Sequence, residues 1–241
     1  MEQYPIHSRY THLDYVIVIH RPVDFDPLKA YTLIYIADGS QGIGQVLLDS
    51  SNNIQLPDDT IVIAINHTGN RETNRDRDFI PSDISKNPKE NFGQAHLFYQ
   101  FIKEELIPFT HAEFPHRCKE VFIGHSLSGL FCLYLALHDE QLFHHYFSIS
   151  PSVWANNFEL LKIEQAFSKT HQDLPANISI YAGSLEIFNL IRIPTYIFVK
   201  AISKRKYPNL HLSYIVLPGR QHFTIRKPAL EQIMNTLKQS L

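Results

Sequence analysis

The chain has 241 residues, and its 22 basic and 24 acidic side chains leave a formal net charge of −2. This balance excludes the strongly basic surface of a nucleic-acid-binding protein. No apolar run reaches the length of a membrane span, and the polar residues 1–15 lack the apolar core of a signal peptide. We therefore expect no nucleic-acid partner, no membrane partner and a cytoplasmic location, while the sequence leaves the oligomeric state open.

Apolar β-branched runs and helical periodicity predict an alternation of strands and helices. Strands are expected at residues 14–20, 31–37, 60–66, 121–123, 143–149, 177–182 and 210–217. Helices are expected at residues 45–48, 94–109, 127–137, 158–167, 194–206 and 228–241. The polar residues 67–91 are expected to form one long loop. The order predicts a single domain, residues 1–241, with a mostly parallel central sheet, antiparallel strands at its start and helices on both faces.

Cysteine and histidine are the residue types that most often bind metals, and neither shows a ligand pattern here. Cys118 and Cys132 both lie in apolar segments and have no second cysteine at ligand spacing, which predicts two buried thiols. The 14 histidines are scattered along the chain without the convergent spacing of a zinc site. We therefore expect no metal and no cofactor.

The most informative stretch is an apolar strand, a tight turn and a buried helix around Ser126. The turn reads GHSLSG over residues 124–129. A serine between small residues at a strand-to-helix turn is typical of a nucleophile elbow, which exposes the hydroxyl at the carboxyl edge of a sheet. The same turn points the first amides of the helix towards the serine, where they can stabilise an oxyanion. Ser126 is thus the candidate nucleophile.

A serine hydroxyl needs a base, and the base needs an acid that orients it. In chain order an elbow serine precedes the acid, and the acid precedes the histidine. Of the acids after the elbow, only Glu186 follows the carboxyl end of a predicted strand. His222 lies in a loop between the last strand and the last helix, whereas His211 begins a strand. These positions favour Glu186 and His222 as the partners of Ser126, against the alternatives of a surface glutamate and a structural histidine.

An oxyanion hole requires two hydrogen-bond donors close to the nucleophile. The amide of Leu127, the residue after the nucleophile, is the first candidate. The second should come from the flexible loop after the strand at residues 31–37, and Ser40 is the preferred residue, with Gln41 almost equal. In the same loop, Gly39 is a candidate substrate-binding residue.

Several spaced motifs together resemble one branch of the α/β-hydrolase superfamily, which includes enterochelin-type siderophore esterases, esterase-D-like enzymes and feruloyl esterase domains. The matching segments are YTLIYIADG (31–39), RDRDFIP (75–81), GHSLSGLF (124–131), SPSVW (150–154), GSLE (183–186) and GRQH (219–222). The resemblance implies the α/β-hydrolase fold and a serine esterase that cleaves a small-molecule ester through an acyl-enzyme. Within the matching segments, Arg77 and Trp154 are further candidate substrate-binding residues.

Two positions depart from the family pattern. Ser128 stands where the family usually has glycine, which is expected to tighten the turn. Ala155 follows Trp154 where many members have a second tryptophan, so the substrate pocket is expected to differ.

The residues leave further alternatives open. Arg75, Arg77 and Asp78 could offer charge to an acidic or catechol-bearing substrate or could form an internal ion pair; we favour the structural role for Asp78. Phe188, Tyr196 and Phe198 could line the substrate pocket, although aromatic residues in apolar helices more often belong to the core. An acyltransferase using the same triad and a non-catalytic binding protein on the same fold remain alternatives to the esterase.

Overall fold

The computed structural model describes residues 1–40, 42–84, 91–187 and 190–239. Within these ranges eight strands form one sheet in the order β1-β2-β4-β3-β5-β6-β7-β8. The strands are β1 (Glu2–His7), β2 (Asp14–His20), β3 (Tyr31–Ala37), β4 (Thr60–His67), β5 (Arg117–His125), β6 (His145–Ile149), β7 (Asn177–Gly183) and β8 (His211–Leu217). β1 and β2 pair antiparallel, and β3 to β8 are parallel. The predicted α/β-hydrolase fold is confirmed.

The helices cover both faces of this sheet. They are α1 (Ile43–Leu48), α2 (Arg71–Phe79), α3 (Ala95–Phe101), α4 (Ile107–Glu113), α5 (Leu127–His138), α6 (Ala155–Thr170), α7 (Arg192–Arg205) and α8 (Arg226–Gln239). A short 3-10 turn at Ser50–Asn52 follows α1, and α6 contains three left-handed residues, 156–158, near its start. Of the helices in the described ranges, none combines the length and the apolar character that are needed to cross a bilayer.

Alternate side chains of the parallel strands belong to two hydrophobic clusters. In β3, Leu33 and Tyr35 belong to the larger cluster, whereas Ile34 and Ile36 belong to the smaller one. Helices α2 to α7 contribute to the larger cluster, and α1 and α8 contribute to the smaller one. Because successive side chains of a strand point to opposite faces, strands covered on both faces read as continuous apolar runs. The parallel pairing places the carboxyl ends of β3, β5, β6, β7 and β8 at one edge of the sheet.

Three expectations about local structure are wrong. The predicted loop at residues 67–91 contains helix α2, whose first turn is capped by Asn70 accepting a hydrogen bond from the amide of Thr73. The polar start of the chain forms strand β1 on the edge of the sheet, where polar side chains meet water. The helix predicted at residues 94–109 does not end near Pro108, because a wide π turn at Ile102–Leu106 precedes this proline and α4 continues to Glu113.

The two cysteines have different environments. Cys132 is buried in α5, and its burial raises the pKa of its thiol well above the usual value. Cys118, which was expected to be buried, is exposed, because it lies near the start of β5 where the strand emerges from the helical layers. Both thiols are free.

The charged segment around α2 turns inward. Asp78 is fully buried, and its Oδ2 accepts hydrogen bonds from the hydroxyl of Tyr15 at 2.6 Å and from Nε2 of His67 at 3.0 Å. Nη1 of Arg77 lies 3.7 Å from Oδ1 of Asp78. The carboxylate therefore joins β2, β4 and α2 from within, which agrees with the structural role favoured for Asp78.

Asp78→Ala is expected to lower the free energy of unfolding by about 3 kcal/mol. The substitution leaves the buried donors of Tyr15 and His67 without an acceptor and the buried guanidinium of Arg77 without its counter-ion. Urea unfolding followed by circular dichroism measures the change. Glu72→Ala is the matched control on the same helix, since its side chain is 75% exposed and should change stability by less than about 0.5 kcal/mol. Equal losses in the two variants would contradict the structural role.

Candidate active site

The elbow at the end of β5 places Ser126 between a strand and a helix. Its backbone has φ 63° and ψ −118°, a conformation that few non-glycine residues adopt. The amide of Ser126 donates to the carbonyl of Ile149 at 3.0 Å, which ties the turn to the neighbouring strand. At Gly124 a Cβ atom would lie 2.0 Å from the carbonyl oxygen of Ser128. The close approach of helix to strand therefore requires glycine at position 124.

Ser128, which departs from the family pattern, fits the turn. It is completely buried. Its hydroxyl accepts a hydrogen bond from the amide of His125 at 2.9 Å and donates one to the carbonyl of the same residue at 2.9 Å. A serine at this position thus adds two hydrogen bonds within the turn, and its side chain leaves Ser126 unobstructed.

The structure brings Ser126, His222 and Glu186 together. Nε2 of His222 lies 3.0 Å from Oγ of Ser126, and Nδ1 of His222 lies 2.9 Å from Oε1 of Glu186. Each side chain follows a different parallel strand, β5, β8 and β7 respectively. These distances form a continuous chain of hydrogen bonds from carboxylate to hydroxyl, the geometry in which an imidazole can accept a serine proton.

Glu186 is fully buried, and both of its carboxylate oxygens accept hydrogen bonds. Its Oε2 accepts from the hydroxyl of Ser150 at 2.9 Å and from the amide of Gly183 at 2.5 Å, which leaves Oε1 for the histidine. The loops that carry acid and base are joined directly, because the amide of Leu185 donates to the carbonyl of Arg220 at 3.0 Å. A buried carboxylate with this set of donors stays oriented towards the imidazole.

A second histidine supports the loop of His222. His125 is 6% exposed, and its Nε2 lies 2.8 Å from the carbonyl oxygen of His222. Burial, and then the nearby His222, lowers the pKa of His125 to about 3. The ring is therefore neutral at ordinary pH, so the nitrogen facing the carbonyl carries the proton and donates it. His125 holds the histidine loop without placing a second positive charge beside it.

A pocket of about 290 Å³ opens beside the Ser126 hydroxyl. Its wall includes two aromatic side chains with large exposed faces, Trp154 at 42% and Phe223 at 67%. The lining residues are Ser126, Ser152, Trp154, Ile191, Gln221, His222, Phe223 and Thr224. Of the three predicted substrate-binding residues, the structure places Trp154 on this pocket.

The chain matches the family model described as Putative esterase over residues 8–184. It belongs to this family. Ferri-bacillibactin esterase BesA of Bacillus subtilis (strain 168) is 29% identical in an alignment 197 residues long that covers 74% of this chain and 68% of that protein. The family shows that the protein is a carboxylic-ester hydrolase. Glu186 and His222 lie beyond the matched segment.

Solved structures agree on the fold. The BES protein from Bacillus cereus superposes with a TM-score of 0.80 at 24% identity, covering 97% of this chain and 94% of that one. Siderophore hydrolase EstB from Aspergillus nidulans superposes with a TM-score of 0.77 at 23% identity, covering 98% and 94%. At these sequence identities, the superpositions show that the esterase shares its fold with both proteins.

In the loop after β3, neither Ser40 nor Gly39 has the environment that its predicted role requires. The amide of Ser40 donates to Oδ1 of Asn66 and is therefore occupied. Gly39 packs against β4, where an added Cβ would lie 2.6 Å from Cβ of Ala64, so it serves close packing rather than the pocket of Ser126. Gln41, the alternative to Ser40, lies outside the described residues.

Arg77 also departs from its expected place at the substrate. It is buried, its Nε donates to Oε1 of Gln94 at 2.9 Å, and Nη2 donates to the carbonyl of Thr11. On the same helix, Arg75 binds both carboxylate oxygens of Asp38 at 2.9 Å. These arginines are committed to side chains and carbonyls of the protein, so the esterase uses the charged segment to anchor α2.

The aromatic residues predicted as possible pocket residues have different environments. Phe198 is fully buried in the core, which removes it from the pocket. Tyr196 lines a different groove, with Ile193 and Tyr214, next to the edge strand β8. Phe188 lies outside the described residues. The helix pattern could not separate these roles, because burial depends on which face of α7 meets the sheet.

The SPS segment at residues 150–152 was recognised only as part of the family resemblance. Its two serines contact opposite ends of the esterase's hydrogen-bond chain. The hydroxyl of Ser150 donates to Glu186, and Oγ of Ser152 lies 3.3 Å from Oγ of Ser126. The available signal was the position of two hydroxyls directly after a buried parallel strand.

Proposed function

We propose that the protein hydrolyses carboxylic esters with a Ser126-His222-Glu186 triad through an acyl-enzyme. The observation that carries the proposal is the unbroken chain of hydrogen bonds from Glu186 through both nitrogens of His222 to the hydroxyl of Ser126. The strained elbow, which turns that hydroxyl towards an open pocket, supports it.

In this mechanism, Nε2 of His222 takes the proton of the Ser126 hydroxyl as Oγ attacks the ester carbonyl. Glu186 stabilises the imidazolium that forms. The imidazolium then protonates the departing alcohol, which leaves Ser126 acylated. In the second half of the reaction, water attacks the acyl carbon while Nε2 of His222 takes its proton. The imidazolium then protonates Oγ of Ser126 as it leaves, which releases the acid and free Ser126.

The negative charge on the carbonyl oxygen needs donors that are in place before the reaction. We propose the amide of Leu127, at the start of α5, as the first donor. For Ser40 to provide the second, the side chain of Asn66 must turn away from its amide. The amide of Gln41 is the alternative from the same loop.

For the substrate we propose an ester or lactone bond of a siderophore. The relatives include the ferri-bacillibactin esterase, a siderophore triacetylfusarinine C esterase of Aspergillus fumigatus and a siderophore enterobactin esterase of Emericella nidulans. Trp154 and Phe223 present flat aromatic faces at the pocket, which suit a large substrate with planar groups.

The purified protein should be given a trilactone siderophore, a feruloyl ester and p-nitrophenyl esters of increasing chain length. We expect kcat/KM for the siderophore to exceed that for p-nitrophenyl acetate at least about tenfold, with free acid as the product. If simple esters are cleaved rapidly while the siderophore stays intact, the proposed substrate class is wrong. Transfer of the acyl group to an added alcohol in preference to water would identify an acyltransferase.

Glu186→Gln is expected to lower kcat about 10³-fold, and His222→Ala about 10⁴-fold or more. The glutamine amide cannot accept from Ser150, Gly183 and His222 at once, because one of its two ends is now a donor. The imidazole, however, is still present to act as a base. Steady-state kinetics on p-nitrophenyl acetate measures both variants. Wild-type kcat in Glu186→Gln would show that another acid orients the histidine.

A further inference from the structure

The nucleophile has a second hydroxyl beside it that the triad does not use. Oγ of Ser152 lies 3.3 Å from Oγ of Ser126, and the amide of Ser152 donates to the carbonyl of Ser126 at 3.1 Å. Ser152 is 2% exposed, so its hydroxyl has little access to solvent. Among the described residues, Oγ of Ser126 is the only hydrogen-bond partner of this hydroxyl.

The positions of the protons decide the direction of this hydrogen bond. Nδ1 of His222 faces the carboxylate of Glu186 and carries a proton, so Nε2 of the neutral ring is an acceptor. The Ser126 hydroxyl therefore donates to Nε2, which leaves the lone pairs of its oxygen free to accept. The Ser152 hydroxyl is the donor that faces them, because a buried O–H group is rarely left without an acceptor.

The backbone holds Ser152 in this place. Ser150 has φ 45°, and its amide donates to the carbonyl of Tyr181 at 2.7 Å. Pro151 lies against Gly129, whose added Cβ would approach the Cα of Pro151 to 3.3 Å. The segment of residues 150–152 is therefore anchored to β7 at one end and to the elbow at the other. Because of these anchors, the hydroxyl of Ser152 is in place before the substrate arrives, as electrostatic stabilisation requires.

We propose that Ser152 is a catalytic residue whose hydroxyl stabilises the charge on Ser126 Oγ as the acyl-enzyme breaks down. This inference rests on the triad proposed above. In that step water adds to the acyl carbon and gives a proton to Nε2 of His222. The bond from carbon to Oγ then breaks, its electron pair goes to Oγ, and the proton passes from Nε2 to Oγ. The acid is released and Ser126 is restored.

The effect should be larger on deacylation than on acylation. In the acyl-enzyme, Oγ is an ester oxygen and a weak acceptor, so the hydrogen bond from Ser152 strengthens as charge develops on Oγ. In the free enzyme, Oγ belongs to a hydroxyl that already accepts this bond well, so less is gained when it attacks. Only an interaction that is stronger in the transition state than in the ground state accelerates a step.

The test is pre-steady-state hydrolysis of p-nitrophenyl acetate, where the burst of p-nitrophenolate reports acylation and the later rate reports deacylation. Ser152→Ala is expected to slow the later rate about tenfold while the burst rate stays within about threefold. KM should fall with kcat, and intact-mass spectrometry should detect acetylated protein during turnover. Ser152→Thr, which keeps a hydroxyl, should recover most of the later rate.

Ser150→Ala is the matched control, because it lies on the same segment but its hydroxyl contacts Glu186. It should slow both phases together without accumulation of acetylated protein. The proposal is overturned if Ser152→Ala keeps both rates within about twofold of wild type, or if its two rates fall together as in Ser150→Ala. Failure of the triad itself is recognised separately, by a burst that persists in Ser126→Ala.

Discussion

Ser126→Ala is expected to lower kcat for p-nitrophenyl acetate at least about 10⁴-fold while the protein stays folded. The variant removes the oxygen that lies 3.0 Å from Nε2 of His222, and no other hydroxyl takes its place on the elbow. Alanine has the same backbone requirement as serine at φ 63°, so the melting temperature should change by only a few degrees. Steady-state kinetics and thermal unfolding followed by circular dichroism measure the two effects.

The control for this variant is Ser128→Gly, which changes a serine of the same turn to the residue that the family usually carries. Within the described part of the chain, the Ser128 hydroxyl bonds only to the backbone of His125, so turnover should stay within about tenfold of wild type. A covalent phosphonate inhibitor should add its mass to wild type and to Ser128→Gly but not to Ser126→Ala. Wild-type turnover in Ser126→Ala would refute the nucleophile.

Gly124→Ala is expected to lower the free energy of unfolding by about 3 kcal/mol and to abolish measurable turnover. The added Cβ would lie 2.0 Å from the carbonyl oxygen and 2.4 Å from the carbonyl carbon of Ser128. Both are backbone atoms, so the first turn of α5 must move away from β5, and Ser126 moves with it. Urea unfolding and ester hydrolysis measure the two losses.

Gly129→Ala, in the first turn of α5, provides a graded comparison. Its added Cβ would meet the carbonyl oxygen of Ile149 at 3.0 Å and Oγ of Ser148 at 3.2 Å, distances that small shifts can relieve. We expect a loss of about 1 kcal/mol and partial activity. A larger loss at position 129 than at position 124 would show that the elbow tolerates a wider turn.

Sequence patterns predicted much of this fold because strands buried on both faces have continuous apolar runs. The strands at residues 14–20 and 31–37 occur with the bounds that were predicted. Helix α2 was missed because its nine residues, RETNRDRDF, are almost all polar. Its stability comes from a cap at Asn70 and from buried ion pairs, which hydrophobic periodicity does not detect.

The candidate triad could be proposed from the chain alone, because order along the chain and position at strand ends are both visible in the sequence. Parallel strands direct their carboxyl ends to one edge, so three residues that each follow such an end must be near one another. That they lie within hydrogen-bond distance is a property of the folded structure.

Orientation of the remaining side chains was decided only by tertiary structure. Arg77 points into the protein, the Ser40 amide binds Asn66, and Ser152 meets Ser126 across 26 residues of sequence. The physical reason is that hydrophobic periodicity is a property of a local segment, whereas a hydrogen bond between distant loops depends on backbone angles and packing that no single segment contains. The motif around Ser126 therefore indicated a nucleophile, and the packing of β6 against β5 placed a second hydroxyl beside it.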